Sequence, residues 1–327
     1  MLFLSFLVSI SSGSVATSFS EALTILCTNA EDNSPLHYII WNYRMPKAIT
    51  AVMAGSGLAL SGLLMQTLFR NPLAGPFVLG ISSGASLGAA LLIMGGSAFS
   101  ALFAVNLVTD LSLTLAAGLG SVLVLLLVII VAARIKDTMA LLIIGLMFGS
   151  FTAAIVSVLS YFTEAKKLQQ FIYWSYGSVG NLTWNQVLLL CALVTFGSIL
   201  SLFNLKSLNA FLLGENYAKT LGVPLKRTRY GIIIAVGILA GTITAFAGPI
   251  AFIGLAVPHV ARQLFNTTNH RVLIPAVCCL GAILLLWCDF VAQVPNSATV
   301  FPINAITALL GAPIVIWLLV RKKQLIF

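Results

Sequence analysis

The chain has 327 residues, 60% of them hydrophobic and only 8% charged, with a mean hydropathy of +1.07 and a formal net charge of +9. Soluble domains carry roughly 25% charged residues, so this composition excludes a soluble globular fold and indicates an all-α polytopic membrane protein. At about 20 to 25 residues per crossing with short connections, about ten spans fit, as one transmembrane domain over residues 1–327. The positive charge calls for no nucleic acid, because anionic lipid and the cytoplasmic bias of loop cations already favour it. The cysteines Cys27, Cys191, Cys278, Cys279 and Cys288 contain no CxxC pair and lie mostly in apolar runs, which points to packing rather than to a metal site or a disulfide framework.

In chain order, residues 1–20 are apolar with small polar interruptions and read as a first transmembrane helix. The small residues after the apolar core also fit a cleaved signal, against which stands the absence of any Lys or Arg before it. Residues 21–44 form a polar external segment with a turn at Asn33-Ser34-Pro35. A second helix over about 47–69 holds Gly55, Gly57, Ala59, Ser61 and Gly62, small residues that let helices approach closely. It stops at Arg70-Asn71-Pro72-Leu73-Ala74-Gly75-Pro76, where two prolines forbid a continuous helix, so this break is buried in protein or lines a wet cavity.

A third helix, about 77–94, is again rich in Gly, Ser and Ala, and 95–110 returns outside, with 98–108 apolar enough to be partly embedded. Spans over 111–133 and 138–162 flank the cytoplasmic Arg134-Ile135-Lys136-Asp137 turn. The second has a small, mildly polar face (Gly145, Gly149, Ser150, Thr152, Ser157, Ser160) suited to helix packing or to a pore lining. An external loop at 164–170 leads to Tyr173, Trp174, Tyr176 and Trp184, which read as an interfacial aromatic belt. The remaining spans are 185–204, 231–247, 250–265, 272–294 and 302–320, with a break at Gly248-Pro249 and Arg321-Lys322-Lys323 at the inner end. His259 has no His, Cys or acidic residue at i+3 or i+4 and reads as structural rather than as a metal ligand; no metal site is indicated.

Residues 205–230 are the longest polar interruption in the second half. Lys206, Lys219, Lys226, Arg227 and Arg229 stand there beside one acid, Glu215, which assigns the stretch to the cytoplasm. Its apolar residues Phe211, Leu212, Tyr217, Ala218 and Leu221 recur at three- and four-residue spacings and predict one short amphipathic helix over 209–221, stopped by Gly222-Val223-Pro224. Such a helix either lies on lipid headgroups or docks a soluble partner. With both termini inside, Arg70, Arg134, Lys136, those five cations, Arg262, Arg271, Arg321, Lys322 and Lys323 are cytoplasmic, and only Arg44, Lys47, Lys166 and Lys167 face out.

The phrase Ala74-Gly75-Pro76-Phe77-Val78-Leu79-Gly80-Ile81 recurs with one extra residue as Ala247-Gly248-Pro249-Ile250-Ala251-Phe252-Ile253-Gly254-Leu255. Five crossings separate the copies, an odd number, so they lie at opposite faces. This predicts inverted halves over about 47–162 and 229–320, with a transport pathway between them; chance recurrence of Gly-Pro is the competing reading. No GxxxxGK[ST] occurs, so the chain has no P-loop of its own. Acids within spans are few, Asp289 being the main one, so the driving energy is expected from outside the chain.

Taken in order, several motifs resemble the permease family of type II ATP-binding-cassette (ABC) importers, which carry iron–siderophore complexes, haem and vitamin B12. They are Arg44-Met45-Pro46-Lys47; Gly62 with Gln66; Arg70-Asn71-Pro72-Leu73-Ala74; Gly80-Ile81-Ser82-Ser83-Gly84-Ala85; Leu213-Gly214-Glu215 with Ala218 and Leu221-Gly222-Val223; Gly248-Pro249-Ile250 with Pro258-His259; Asn269-His270-Arg271; and Gly311-Ala312-Pro313. The resemblance runs from Arg44 to Arg321. It implies ten helices, a homodimer or paired permease, two cytoplasmic ATPases that bind ATP and Mg, a periplasmic or lipoprotein substrate-binding protein, and a multi-pass location in the inner (plasma) membrane. The chain itself is then neither an enzyme nor a cofactor carrier.

By the same resemblance, Gly214, Glu215, Ala218, Leu221 and Gly222 match the ATPase-coupling motif. Asn71, Leu73, Thr138 and Met139 match the cytoplasmic gate, and Arg44 and Lys47 match external cations that meet the binding protein. The chain departs from the family at Gln293 and at Val300-Phe301-Pro302-Ile303-Asn304, where outer-face charges are usual. Siderophore, haem and cobalamin all remain open as cargo, an iron chelate being the commonest in the family. The rival reading is an ion-coupled secondary carrier using Asp289 or Glu164.

Overall fold

A computed structural model describes residues 1–13, 15, 17–27, 34–103, 109–135, 138–293 and 300–320, excepting the side chains of 96–103, Thr138 and 318–319. The helices are α1 (Leu2–Ser11), α2 (Phe19–Cys27), α3 (Pro35–Ile39), α4 (Met45–Phe69), α5 (Ile81–Phe103), α6 (Asp110–Arg134), α7 (Thr138–Tyr161) and α8 (Ala165–Ser175). They continue as α9 (Trp184–Phe203), α10 (Leu205–Leu212), α11 (Glu215–Thr220), α12 (Leu225–Ala247), α13 (Ile253–Phe265), α14 (His270–Ala292) and α15 (Ile303–Val320). Among the described residues no strand forms beyond the isolated pairing of Gln293 with Val300.

Six helical stretches are long and apolar enough to cross a membrane: Pro35–Phe69, α6, Met139–Tyr161 of α7, α9, α12 and α14. Shorter apolar helices occupy Leu2–Ser11, Ile81–Gly95 and Ile303–Trp317. With the 13-residue α13 these account for the ten or so membrane helices expected. The protein is an all-α polytopic membrane protein.

Helices α4, α12 and α14 form the interior, while α6, α7 and α9 expose most of their outer faces. Between apolar helices in lipid, association rests on close backbone approach, and glycine supplies it. A Cβ built on Gly55 of α4 would lie 2.2 Å from the Gly281 carbonyl of α14, and one on Gly62 would lie 1.6 Å from the Gly254 carbonyl of α13. Gly84 and Gly88 of α5 sit equally close to the Gly120 and Ala116 carbonyls of α6.

Several boundaries differ from the sequence expectation. The first helix is ten residues rather than twenty, and α2 falls within the segment read as external and polar. The second begins far earlier than residue 47. A wider π-type turn over Ile40–Arg44 joins α3 to α4, with the Met45 amide donating to the Ile40 carbonyl. Pro46 has no amide hydrogen and clashes with the carbonyl four residues back, and the wider turn accommodates it. Glu164 ends a loop and precedes α8, so 164–170 is largely helical. The third helix runs on to Phe103, over the start of the partly embedded segment expected at 98–108; residues 104–108 lie outside the described residues, as do Asn33, Lys136, Asp137 and Arg321-Lys322-Lys323.

The two chain breaks lie at opposite ends of the bundle. At the first, Arg70 is left-handed, Pro76–Leu79 makes a single 3₁₀ turn, and left-handed Gly80 (φ +72°) opens α5. At the second, left-handed Gly248 (φ +72°) ends α12 and left-handed Phe252 (φ +65°) opens α13. The Ala247 carbonyl accepts from the Ser178 amide, and Lys47 at the start of α4 packs beside Gly180. The second break therefore shares the end where α4 begins, and the first lies where α4 stops. The structural register of the repeat pairs Gly80 with Phe252, not with Gly254 as the phrase alignment implied. Each break is also covered by a glycine three helices later, Gly145 of α7 behind Val78 and Gly311 of α15 behind Phe252.

Candidate coupling and gating site

The polar stretch lies at the end of the first break. It is two helices, not the single helix expected over 209–221: α10 follows α9 directly at Asn204, and Gly214 (φ +102°) separates it from α11. Only glycine takes that backbone easily, so the amphipathic periodicity continued while the helix did not. Leu208, Phe211 and Ala218 are buried as anchors. Leu213, Tyr217 and Leu221 are 62%, 63% and 60% exposed at four-residue spacing. Of the five apolar residues that predicted one face, Phe211 and Ala218 turn inward, Tyr217 and Leu221 outward, and Leu212 is half-buried. Gly222 (φ +78°) follows and turns the chain into α12.

Glu215, at the start of α11, forms an ion pair with Arg229 of α12 at 3.0 Å, and the other Arg229 Nη donates to the Ile135 carbonyl at 3.2 Å. Ile135 caps the end of α6, three residues before Thr138 opens α7. The gate residues matched by resemblance fall at the same end. Asn71 accepts the Leu73 amide on its side-chain oxygen at 2.9 Å, which shapes the turn after α4, while Leu73 and Met139 are exposed. Gly145 of α7 backs onto Val78 and Leu79, so the segment containing Met139 crosses the turn that follows Asn71 and Leu73.

Arg44 and Lys47 lie at the opposite end and are engaged within the chain. The Arg44 guanidinium, buried at 7% exposure, donates to the carbonyls of Ile10, Ser11 and Val15 and to the Thr17 hydroxyl, closing the end of α1. Lys47 pairs with Asp289 of α14 at 3.0 Å, and Gln293 donates to the same carboxylate at 2.9 Å. Beside this pair a cavity of about 290 Å³ is lined by Gly177–Asn181, Val300, Phe301 and Ile303.

Sequence reasoning missed a buried polar network at the end of the bundle that holds α10 and α11. Arg262 of α13 donates to the Gln66 side-chain oxygen at 2.7 Å, and the Gln66 amide donates to the Leu255 carbonyl at 3.2 Å. The Nε2 of His259 lies 2.8 Å from the Pro72 carbonyl, which only accepts, so that nitrogen carries the proton. His270, fully buried, lies 2.8 Å from both Thr67 and Asn209. The motifs containing Gln66, His259 and His270 were visible in the sequence, but the contacts join distant helices that no local spacing connects. Among the described residues no group of three His, Cys, Asp or Glu side chains could hold a metal ion.

The profile of the FecCD transport family matches residues 1–321. The vitamin B12 import system permease protein BtuC of Klebsiella pneumoniae subsp. pneumoniae is 38% identical over 286 residues, covering 87% of this chain and 83% of that one. BtuC of Salmonella typhi is 38% identical over 287 residues, covering 87% and 84%. A solved structure of a metal-chelate type ABC transporter in an inward-facing conformation superposes with a TM-score of 0.83 at 29% identity, over 98% of this chain and 96% of that one. The PsaBC structure of Streptococcus pneumoniae, at 16% identity and a TM-score of 0.59 over 84% and 89% of the chains, shares the fold. The chain belongs to the FecCD transport family, the type II ABC importer permeases that its motifs resemble.

Proposed function

We propose that the chain is the transmembrane subunit of an ATP-driven importer for a metal chelate, with cobalamin the first cargo to test. The cargo rests on the BtuC relatives, whose names specify vitamin B12 import. A second copy of the permease, two cytoplasmic ATPases and an outer substrate-binding protein complete the transporter, and the coupling end faces the cytoplasm as loop cations favour. The observation that carries the mechanism is the outward patch of Leu213, Tyr217 and Leu221 on a stretch anchored by Phe211 and Ala218. An apolar patch at helical spacing suits a groove on a partner better than open water. In this reading the ATPases pull on α10 and α11 as they close, and the breaks at Asn71 and Gly248 yield because their backbones are already non-helical.

Pull-down of co-expressed ABC ATPase by the detergent-solubilised protein tests this. Wild type retains the ATPase, and Tyr217→Glu loses it while its thermal unfolding stays unchanged, because Tyr217 is exposed. ATP-dependent uptake of cobalamin into proteoliposomes holding the assembled transporter tests the cargo. No ATPase retained by wild type sinks the importer reading.

A further inference from the structure

Asn209, on α10, reaches out of the coupling stretch to the start of α14. Its side-chain oxygen accepts the His270 backbone amide at 2.9 Å and lies 2.8 Å from His270 Nδ1, while its amide nitrogen donates to Asn269 at 3.0 Å. The backbone amide can only donate, so the orientation of the Asn209 amide is fixed. An oxygen that only accepts then requires the proton on His270 Nδ1. In a neutral ring Nε2 is consequently an acceptor, and it faces the Thr67 hydroxyl at 2.8 Å, whose single proton also has the Leu63 carbonyl within reach at 2.9 Å. Thr67 stands in the last turn of α4, three residues before left-handed Arg70 and four before Asn71. His270 and Thr67 are 0% and 1% exposed, so water does not substitute for either bond.

We propose that Asn209 and His270 are positioning residues that carry movement of the coupling stretch to the gate, through the hydrogen-bonded chain α10 Asn209, α14 His270, α4 Thr67. The proposal rests on the importer reading. It adds a route that does not pass through Glu215 and Arg229, which instead lead to the Ile135 end of α6. Gln66, next to Thr67, is held by Arg262, and Pro72 is held by His259, so the last turn of α4 and the break after it are both gripped by α13. A displacement of α10 reaches Asn71 and Leu73 through three buried or half-buried side chains joined by hydrogen bonds.

The test uses the assembled transporter with its ATPases in inside-out vesicles and a Leu73→Cys reporter, labelled with a membrane-impermeant maleimide with and without a non-hydrolysable ATP analogue. No cargo is needed. In the parent, the analogue changes the labelling rate. In Asn209→Ala, His270→Gln and Thr67→Val, ATPase still co-purifies and the nucleotide-driven change shrinks by about fivefold, the scale of one buried hydrogen bond. A bond that merely stabilises the fold would lower the unfolding temperature and leave this response intact. Thr67→Val lies away from the docking patch and decides the matter if Asn209→Ala loses the ATPase. An unaltered nucleotide response in Thr67→Val and His270→Gln overturns the proposal. A parent that binds no ATPase overturns the importer reading, and the proposal with it.

Discussion

Asp289 has 3% of its side chain exposed and faces Lys47 at 3.0 Å. Removing the lysine leaves a carboxylate buried without its cation, which costs about 3 to 5 kcal/mol. Lys47→Ala is therefore expected to lower the unfolding temperature in detergent markedly, and Lys47→Ala/Asp289→Asn to recover most of the loss. If Asp289 served as an ion-coupling site, Asp289→Asn and the double variant would both abolish uptake. The sequence identified both residues as notable and gave them separate tasks, one in docking and one in a rival carrier. Their pairing was illegible because it joins the start of α4 to the end of α14, and only the packing of those helices sets that distance. Arg44 behaves alike. Its position before Met45-Pro46 was legible, but the carbonyls it holds belong to a chain end freed by the early stop of α1.

At the level of elements, glycine content predicted close packing correctly, yet the partner of each glycine emerged only in three dimensions. Gly62 and Gly118 are both helical glycines in apolar sequence, and they should respond oppositely to substitution. A Cβ at Gly62 would meet the Gly254 carbonyl at 1.6 Å, backbone that cannot yield locally, whereas one at Gly118 meets only the Ala245 Cβ at 3.8 Å. Gly62→Ala is expected to destabilise by about 2 kcal/mol or more through forced separation of α4 and α13. Gly118→Ala should be neutral or stabilising by up to about 1 kcal/mol, the helix propensity of alanine over glycine. Thermal unfolding of the two variants side by side checks the pair. Spans of strong hydropathy were well placed because burial in lipid dictates them. Short elements were not, since Gly214 breaks a periodic pattern without changing it and the π-type turn before α4 leaves no periodic trace.

Across the whole molecule, α7 exposes Ser150 and Ser157, seven residues apart on one face, beside Phe151 and Val158. Gly145 and Thr152, from the same small-residue set, point inward. Hydroxyls face protein or a wet path more readily than acyl chains. If the exposed serine face of α7 meets the second permease copy, Ser150→Cys and Ser157→Cys should give cross-linked dimers on mild oxidation in membranes, above the level of the parent. Leu119→Cys, exposed on α6, should not. That the two breaks lie at opposite ends was legible from one repeated phrase and a parity argument about crossings, because Gly-Pro breaks have few structural solutions in a membrane.

Helix α4 joins the two ends of this arrangement without interruption. Lys47 and Thr67 are twenty residues apart, about 30 Å at 1.5 Å per residue, with the tight contacts of Gly55 and Gly62 between them. If transport tilts α4 about those contacts, a tilt of about 8° about its middle carries each tip about 2 Å in opposite directions. Under the proposed importer mechanism, a push received at Thr67 would then arrive at Lys47 reversed in sense, one helix giving contrary orders to the two sides of the membrane.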